Sequence, residues 1–409
     1  MPTYEPAFRF PLVLVLPAVL IATVAHVTTT DISLELLLGP QLEAFTEAGF
    51  DVVGVSAPGP YVEALEQRGI RHIPLRHATR SFAPTEDLQA VGELVSVFRR
   101  LRPTIVHTHN PKPGLYGRVA ARIARVPIVV NTVHGLYAQP HDPLARRAAV
   151  YSVERFAGLF SDAELLQNPE DIETLAGLGV PRKKLTLLGN GIDLTRFDPA
   201  AVTAADELGA RAELGASGSD DVVVGLVGRL VREKGYGEVF EAARELRDHV
   251  PQLRFAVIGA DDDQKDDALD ASDRARAAEA GVKFLGGRSD MPRLYAAMDV
   301  HVLASYREGF PRSPMEAAAM GIPVVATNVR GCRQVVDEGV TGFLVPARDA
   351  RSLAAAIAKL AGAPELRAQF GAAGREKALR EFDDRRCVEI TLATYRRLLA
   401  TRSASAPAK

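Results

Sequence analysis

Short runs of apolar, β-branched residues alternate along this chain with longer stretches of helical periodicity, the pattern of βαβ units that build parallel sheets. Runs at 21–27, 51–56, 71–75, 104–109, 128–133 and 162–166 predict strands in the first half, with helices over 36–48, 85–101 and 115–124. The second half repeats the scheme, with strands at 222–227, 254–258, 282–285, 300–304, 324–327 and 342–345. Its helices are predicted over 237–248, 291–298, 315–320 and 352–361. The reading is α/β, two doubly wound units of similar size. A chain of 409 residues exceeds one ordinary core, which agrees with two domains. The turn-rich stretch from Gly189 to Pro199 is the expected join, giving domains at 21–190 and 191–378. A final helical stretch, 379–402, has no strand to serve and is expected to cross back onto the first domain. Open parallel sheets bind ligands beyond the carboxyl ends of their strands, so two facing sheets predict one cleft.

The N-terminus departs from this pattern. No Asp, Glu, Lys or Arg occurs between Phe10 and Thr30, yet Pro11 and Pro17 interrupt any spanning helix. Residues 1–20 are therefore an apolar extension, a membrane-touching segment or a cleaved signal, with few positive charges before the apolar run for the last. The overall balance, 47% hydrophobic, 24% charged and formal net charge −2, gives no pull toward nucleic acid. Cys332 and Cys387 are the only cysteines, so a disulfide framework is not implied and a reducing, cytoplasmic compartment is expected. Basic residues crowd one region: Arg99, Arg100, Arg102, Lys112, Arg118, Arg122, Arg125, Arg146 and Arg147 face only Asp142. They are either solvated helix faces or a surface that meets anionic lipid or a phosphorylated acceptor.

The candidate chemistry lies in the second half. Glu308 and Glu316 stand eight positions apart, separated by Gly309, Phe310, Pro311, Arg312, Ser313, Pro314 and Met315, with a helix-forming run after them. A loop carrying Glu308 thus feeds a helix carrying Glu316. A helix N-terminus attracts phosphate, whereas a carboxylate one turn inside it repels phosphate and suits a neutral diol. A phosphate seat flanked by two diol-binding carboxylates suggests a nucleotide sugar. Upstream, the strand 222–227 runs into Gly228, Arg229, Lys234 and Gly235. The two cations can be aimed at one diphosphate, or they can be ordinary surface charges on a strand–helix loop.

Taken in order, Gly228 and Arg229, Lys234 and Gly235, Glu308 and Glu316, the run 320–326 and the run 342–345 resemble glycosyltransferase family 4. The resemblance implies a GT-B architecture, two Rossmann-like domains facing across a cleft, and a retaining, metal-independent glycosyltransferase without a cofactor. It assigns Arg229 and Lys234 to the donor diphosphate, Glu316 to ribose hydroxyls and Glu308 to hydroxyls of the transferred hexose or N-acetylhexosamine. Gly228 and the backbone around Gly309, Phe310, Arg312 and Ser313 are expected to cradle sugar and phosphate. Gly286 and Arg288 fall where the family holds the base, or form a plain turn. His134, at the end of the strand 128–133, resembles the family's cleft histidine.

The chain also departs from the family. Where many members carry two glycines after the first strand, it has Thr28, Thr29, Thr30 and Asp31. Hydroxyls of Thr29 or Thr30 could replace the missing backbone contacts, or Asp31 could meet the acceptor. His107 and His109 share one sheet face, and His109 and Asn110 are expected nearer the cleft. Zinc is not expected there, since no third ligand forms a recognisable pattern with them. Asp261, Asp262 and Asp263 read as a solvated acidic loop rather than a metal site. The expected donor is a uridine diphosphate sugar and the expected acceptor a polysaccharide or lipid-linked glycan at the inner membrane face. A nucleotide-sugar epimerase and a non-catalytic subunit on a transferase fold remain as alternatives. A dinucleotide-dependent dehydrogenase would need a glycine fingerprint that neither 24–29 nor 225–228 supplies.

Overall fold

A computed structural model describes residues 22–79, 83–109, 111–138, 142–262 and 265–405. The extension at 1–20 and Asn110 lie outside the described residues. Seven parallel strands form the first sheet: β1 (Thr23–Thr30), β2 (Asp51–Ala57), β3 (Arg71–Pro74), β4 (Ile105–His109), β5 (Ile128–Val133), β6 (Ala163–Leu166) and β7 (Leu185–Leu187). Their order is β3-β2-β1-β4-β5-β6-β7, so the winding reverses between β1 and β4. Six parallel strands form the second: β8 (Val222–Val227), β9 (Leu253–Ile258), β10 (Val282–Phe284), β11 (Val300–Leu303), β12 (Val324–Thr327) and β13 (Gly342–Val345). The order β10-β9-β8-β11-β12-β13 puts the second reversal between β8 and β11.

Local chemistry explains these elements. The β8 run of Val222, Val223, Val224, Gly225, Leu226 and Val227 is apolar throughout because helices cover both its faces. Gly225 admits the Met298 side chain against the strand, since a Cβ there would lie 2.1 Å from its sulfur. Asn168 caps the helix Pro169–Gly177 by accepting from the Glu170 amide, and Asp270 and Asp273 close a capping box on Ala271–Glu279.

Two expectations change. The helix expected over 36–48 begins earlier, as a π-helical turn Ser33–Leu38, and continues as Gly39–Glu47. The stretch 379–402 is split: Pro364–Glu381 packs on the second sheet, and the chain breaks at buried Phe382, whose carbonyl accepts from Ile192. The last helix, Asp384–Ser405, then returns to the first sheet, where Cys387 and Tyr395 join the core of Val24, Phe45 and Ile105.

The carboxyl ends of the two sheets meet. Residues just past β5 and β6 touch residues just past β11 and β12. The Asn168 amide donates to Gly309 O at 3.1 Å, Asn190 donates to Phe310 O at 2.8 Å, and buried Arg330 pairs with buried Asp171 at 2.7 Å. The ligand-binding ends of both sheets are therefore brought to one place.

Candidate active site

A pocket of about 180 Å³ opens where the lobes meet, walled by His134, Gly135, Leu136 and Tyr137 from one side and Arg229, Glu233, Lys234, Arg307, Glu308 and Gly309 from the other. The four residues assigned to chemistry from the sequence, Arg229, Lys234, Glu308 and His134, all line it.

The cations are set by the loop after β8. Tyr236 donates its hydroxyl to Gly228 O at 2.9 Å, and Gly235 adopts φ +72° against the end of β11. A Cβ at Gly235 would lie 2.1 Å from Ala304 O, so a larger residue would push the Lys234 turn off the sheet. Lys234 Nζ pairs with Glu308 Oε1 at 2.6 Å, and Arg229 pairs with Asp262 at 2.8 Å while half its side chain stays in solvent. Each cation thus has a carboxylate partner that an incoming anion can displace.

Glu316 sits one turn inside the helix Arg312–Ala319. It accepts from the Tyr295 hydroxyl at 2.9 Å, whose oxygen also lies 3.2 Å from Ser313 O. Burial raises the Glu316 carboxyl above its usual range, opposed by Arg312, the Tyr295 hydroxyl and Arg196. Arg312 reaches across to donate to Leu36 O at 3.1 Å, joining the lobes beside this carboxylate. Phe310 packs edge-on against Phe382, at 6.1 Å between centroids.

Other expected residues are placed differently. Gly286 adopts φ +71° and accepts from the Gly259 amide at 2.9 Å. The Arg288 guanidinium is held by Asp290 at 2.6 Å and Glu213 at 2.9 Å, and it does not line the pocket. Thr29 is buried in β1, and Thr30 ends that strand, its carbonyl accepting from Thr28 at 2.8 Å. Asp31 turns inward, its two oxygens accepting from the Ile32 amide at 2.9 Å and the Tyr61 amide at 2.7 Å. Those bonds fix the loop after β1 against the turn at Gly59.

The histidines hold a residue that sequence reasoning missed. His26 of β1 stands in register with His107 of β4, and with His109 the three rings each place one nitrogen within 4.8 Å of the others'. The expectation that no third ligand joins His107 and His109 is thus corrected, and this buried trio is the one group of three or more such side chains among the described residues that could hold a metal. His107 and His109 do share a sheet face, their centroids 4.2 Å apart. His109 is buried, however, and meets the cleft only through His134, at 3.3 Å. Burial lowers the His134 imidazole to about 4, partly opposed by Gln167. Also unforeseen are Arg307, which donates to Tyr137 O at 2.9 Å and pairs with Asp142, and the Asp171–Arg330 bridge.

Comparison with known proteins matches the chain's sequence to two family profiles, "Glycosyl transferase 4-like domain" over residues 38–191 and "Glycosyl transferases group 1" over residues 212–377. The capsular polysaccharide biosynthesis glycosyltransferase CapM of Staphylococcus aureus is 28% identical over 364 residues, 87% of this chain and 92% of that protein. A UDP-Gal:alpha-D-GlcNAc-diphosphoundecaprenol alpha-1,3-galactosyltransferase of Escherichia coli is 28% identical over 305 residues, 74% of this chain and 77% of that protein. Among solved structures, Anabaena Alr3699/HepE in complex with UDP and glucose superposes with a TM-score of 0.75 at 22% identity, covering 91% of this chain and 99% of the other. The superposition shows the shared two-sheet fold.

Proposed function

The chain belongs to the group 1, GT4-type glycosyltransferases of GT-B fold, and we propose that it moves a hexose or N-acetylhexosamine from a uridine diphosphate sugar to an acceptor hydroxyl with retention of anomeric configuration. The observation that carries this reading is the convergence of Arg229, Lys234 and Glu308 on one pocket wall opposite His134. In it the diphosphate displaces the carboxylates now paired with Arg229 and Lys234. Freed Glu308 turns to sugar hydroxyls, and Glu316, steadied by Tyr295, takes the ribose. The backbone at Gly228, Gly309, Phe310, Arg312 and Ser313 closes around sugar and phosphate.

The barrier lies in departure of the diphosphate as positive charge grows on the sugar ring. Preset cations at the phosphate end lower it electrostatically. Two cations already answer the leaving charge, so this reading requires neither a metal nor a cofactor. Neither Glu308 nor Glu316 is assigned as a nucleophile, in contrast to retaining glycosidases; attack proceeds on the face the diphosphate leaves.

The acceptor is proposed to be a lipid-linked or polysaccharide glycan of the cell envelope, as the names of the Staphylococcus and Escherichia relatives suggest. Exposed Leu144, Val153, Phe156 and Leu159 accompany Arg146 and Arg155 along the helix Leu144–Gly158, which supports peripheral contact with an anionic inner membrane face. No helix among the described residues is long and apolar enough to cross a membrane.

The test is a thermal-shift screen of nucleotide sugars followed by product analysis, since a ligand of the folded state raises the melting temperature. A uridine diphosphate sugar should stabilise the protein and yield a glycoside of unchanged anomeric configuration. Stabilisation by guanosine donors alone, an inverted product, or release of a free epimer without an acceptor would each overturn the corresponding part.

A further inference from the structure

The imidazoles beneath the cleft are linked end to end. Thr132 Oγ1 lies 2.7 Å from His107 Nε2, and His107 Nδ1 lies 2.5 Å from Tyr395 Oη. Tyr395 Oη is 3.5 Å from His26 Nε2, His26 Nδ1 is 3.1 Å from His109 Nε2, and His109 Nδ1 is 3.3 Å from His134 Nε2. Of the nitrogens of these four rings, His134 Nδ1, at the pocket end, is the one that is buried with no hydrogen-bond partner among the described residues. Burial pushes all four imidazoles below their ordinary range, so each is neutral near pH 7 and carries one N–H and one bare nitrogen.

A chain of neutral imidazoles can be satisfied in two senses, and its far end decides between them. The Thr132 hydroxyl is buried and makes no other hydrogen bond among the described residues. If it accepted from His107, its own proton would be left buried beneath the cleft without a partner; when it donates, the unpartnered proton is instead the one on His134 Nδ1, at the pocket wall, where a ligand oxygen can accept it. Donation by Thr132 makes His107 Nε2 the acceptor and Nδ1–H the donor to Tyr395. The tyrosine proton then goes to His26 Nε2, His26 Nδ1–H to His109 Nε2, and His109 Nδ1–H to His134 Nε2. The remaining proton of His134 must sit on Nδ1.

We propose that Thr132, His107, Tyr395, His26 and His109 form a one-directional hydrogen-bond relay that fixes His134 as an Nδ1–H donor, presented to an oxygen of the bound sugar donor. The proposal rests on the reading of the cleft as a nucleotide-sugar site. The five are positioning residues; His134 alone meets the substrate. Metal binding by His26, His107 and His109 fits less well. The His107 and His109 rings stack at 28°, which sets their nitrogens side by side rather than toward a common point. Every nitrogen of the trio already has a partner.

The experiment uses the full chain labelled with ¹⁵N-histidine, with His134 signals identified by loss in His134→Gln. Long-range ¹H–¹⁵N correlation should show His134 as the Nδ1–H tautomer without any substrate. Tyr395→Phe keeps the ring packed on Phe45 and Phe50 and removes the central hydroxyl, so the His134 tautomer should become mixed. With the substrate, this variant should lose roughly three- to tenfold in kcat with donor KM within about twofold, the scale of one hydrogen bond. Thr132→Val should shift the tautomer likewise if the tyrosine variant fails to fold, and Thr132→Ser should restore it. An Nε2–H tautomer in the wild type, a tautomer indifferent to both variants, or one metal ion per chain by elemental analysis would overturn the relay. A correct tautomer in a protein that binds no nucleotide sugar would instead sink the reading of the cleft and leave the relay standing.

Discussion

Gly135 and Gly309 meet backbone to backbone across the cleft. A Cβ on Gly135 would lie 2.6 Å from Gly309 Cα, and one on Gly309 would lie 1.9 Å from His134 O. No side chain fits at this seam, which sets the distance between the His134 side of the pocket and the Lys234 side. Gly309→Ala should therefore hold the lobes apart by about 1 Å, a misplacement that can cost on the order of a hundredfold in kcat/KM. Nucleotide affinity should change little, because the residues proposed to hold the diphosphate, Arg229 and Lys234, belong to the second lobe. Steady-state kinetics beside titration calorimetry checks both halves, and a variant with full turnover would show that catalysis does not use this closed seam.

Glu316→Ala should weaken uridine diphosphate binding about 10- to 100-fold, the scale of losing a charged hydrogen-bond acceptor. Inorganic pyrophosphate binding should be nearly unchanged, since its proposed partners are Arg229 and Lys234. Tyr295→Phe should cost less, because the hydroxyl only steadies the carboxylate at 2.9 Å. Equal losses for the diphosphate and for pyrophosphate would move Glu316 away from the ribose.

The two cations should separate kinetically. Arg229→Ala should lower kcat more than it raises donor KM, if its contact tightens as the phosphate leaves. Lys234→Ala should damage both, since it strands Glu308, whose side chain is 11% exposed, next to the incoming diphosphate. Adding Glu308→Gln to Lys234→Ala should then recover several-fold in donor affinity, as a double-mutant cycle reports. No recovery would mean that the pair at 2.6 Å does not couple to the ligand.

Acid should unfold this protein early. Burial lowers His26 to about 3, His134 to about 4 and His301 to about 3, with His107 and His109 displaced the same way. In the unfolded chain these groups take up protons below about pH 6.5, whereas the fold keeps them neutral, so stability present above that pH is lost as pH falls. Asp171 opposes: burial holds it up at about 6 despite Arg330, so the fold gains a proton there before the unfolded chain does. Glu154, Glu316 and Asp384, raised by burial, oppose in the same way, while His72 adds to the histidines; with the strongly buried imidazoles in the majority, unfolding takes up protons as pH falls from roughly 6 to 4.5. Urea midpoints measured at pH 7.5 and 5.0 should differ sharply; coincident midpoints would mean that the imidazoles are reached by solvent in the folded state.

Strands buried on both faces were legible, because an unbroken apolar run such as 222–227 fits little else. The edge strand β7 was not: Leu185–Leu187 is three residues long and only partly buried, too short to carry a period. The loop residues Arg229, Lys234, Glu308 and Glu316 stood out because charge beside glycine at a strand end is unusual in a core. His26 was hidden differently. Its relation to His107 depends on β1 and β4 being neighbours, which doubly wound order implies but a sequence separation of 81 conceals. Asp31 and Arg288 invited roles in the cleft, yet backbone amides and carboxylates satisfy them locally, and those partners appear only once the loops are folded.

The basic stretch gains meaning from the helix Leu144–Gly158. At 100° per residue, Leu144, Ala145, Ala148, Ala149, Val153 and Phe156 fall on one half of its circumference, and all are exposed. Leu159 extends the same patch just past the last turn, and Arg146 and Arg155 flank or enter it. An apolar half with arginines at its margin suits the boundary between headgroups and acyl chains, where each well-placed cation adds about 1 kcal/mol on anionic lipid. The protein should co-sediment with phosphatidylglycerol-containing vesicles and not with pure phosphatidylcholine. Phe156→Ser with Leu159→Ser should reduce binding about tenfold or more, while turnover on a short soluble acceptor stays intact, because neither residue lines the pocket. Arg146→Gln should weaken binding less, and only at low salt. Equal affinity for neutral and anionic vesicles would remove the arginines from the account, and indifference to the double serine variant would move the docking face elsewhere.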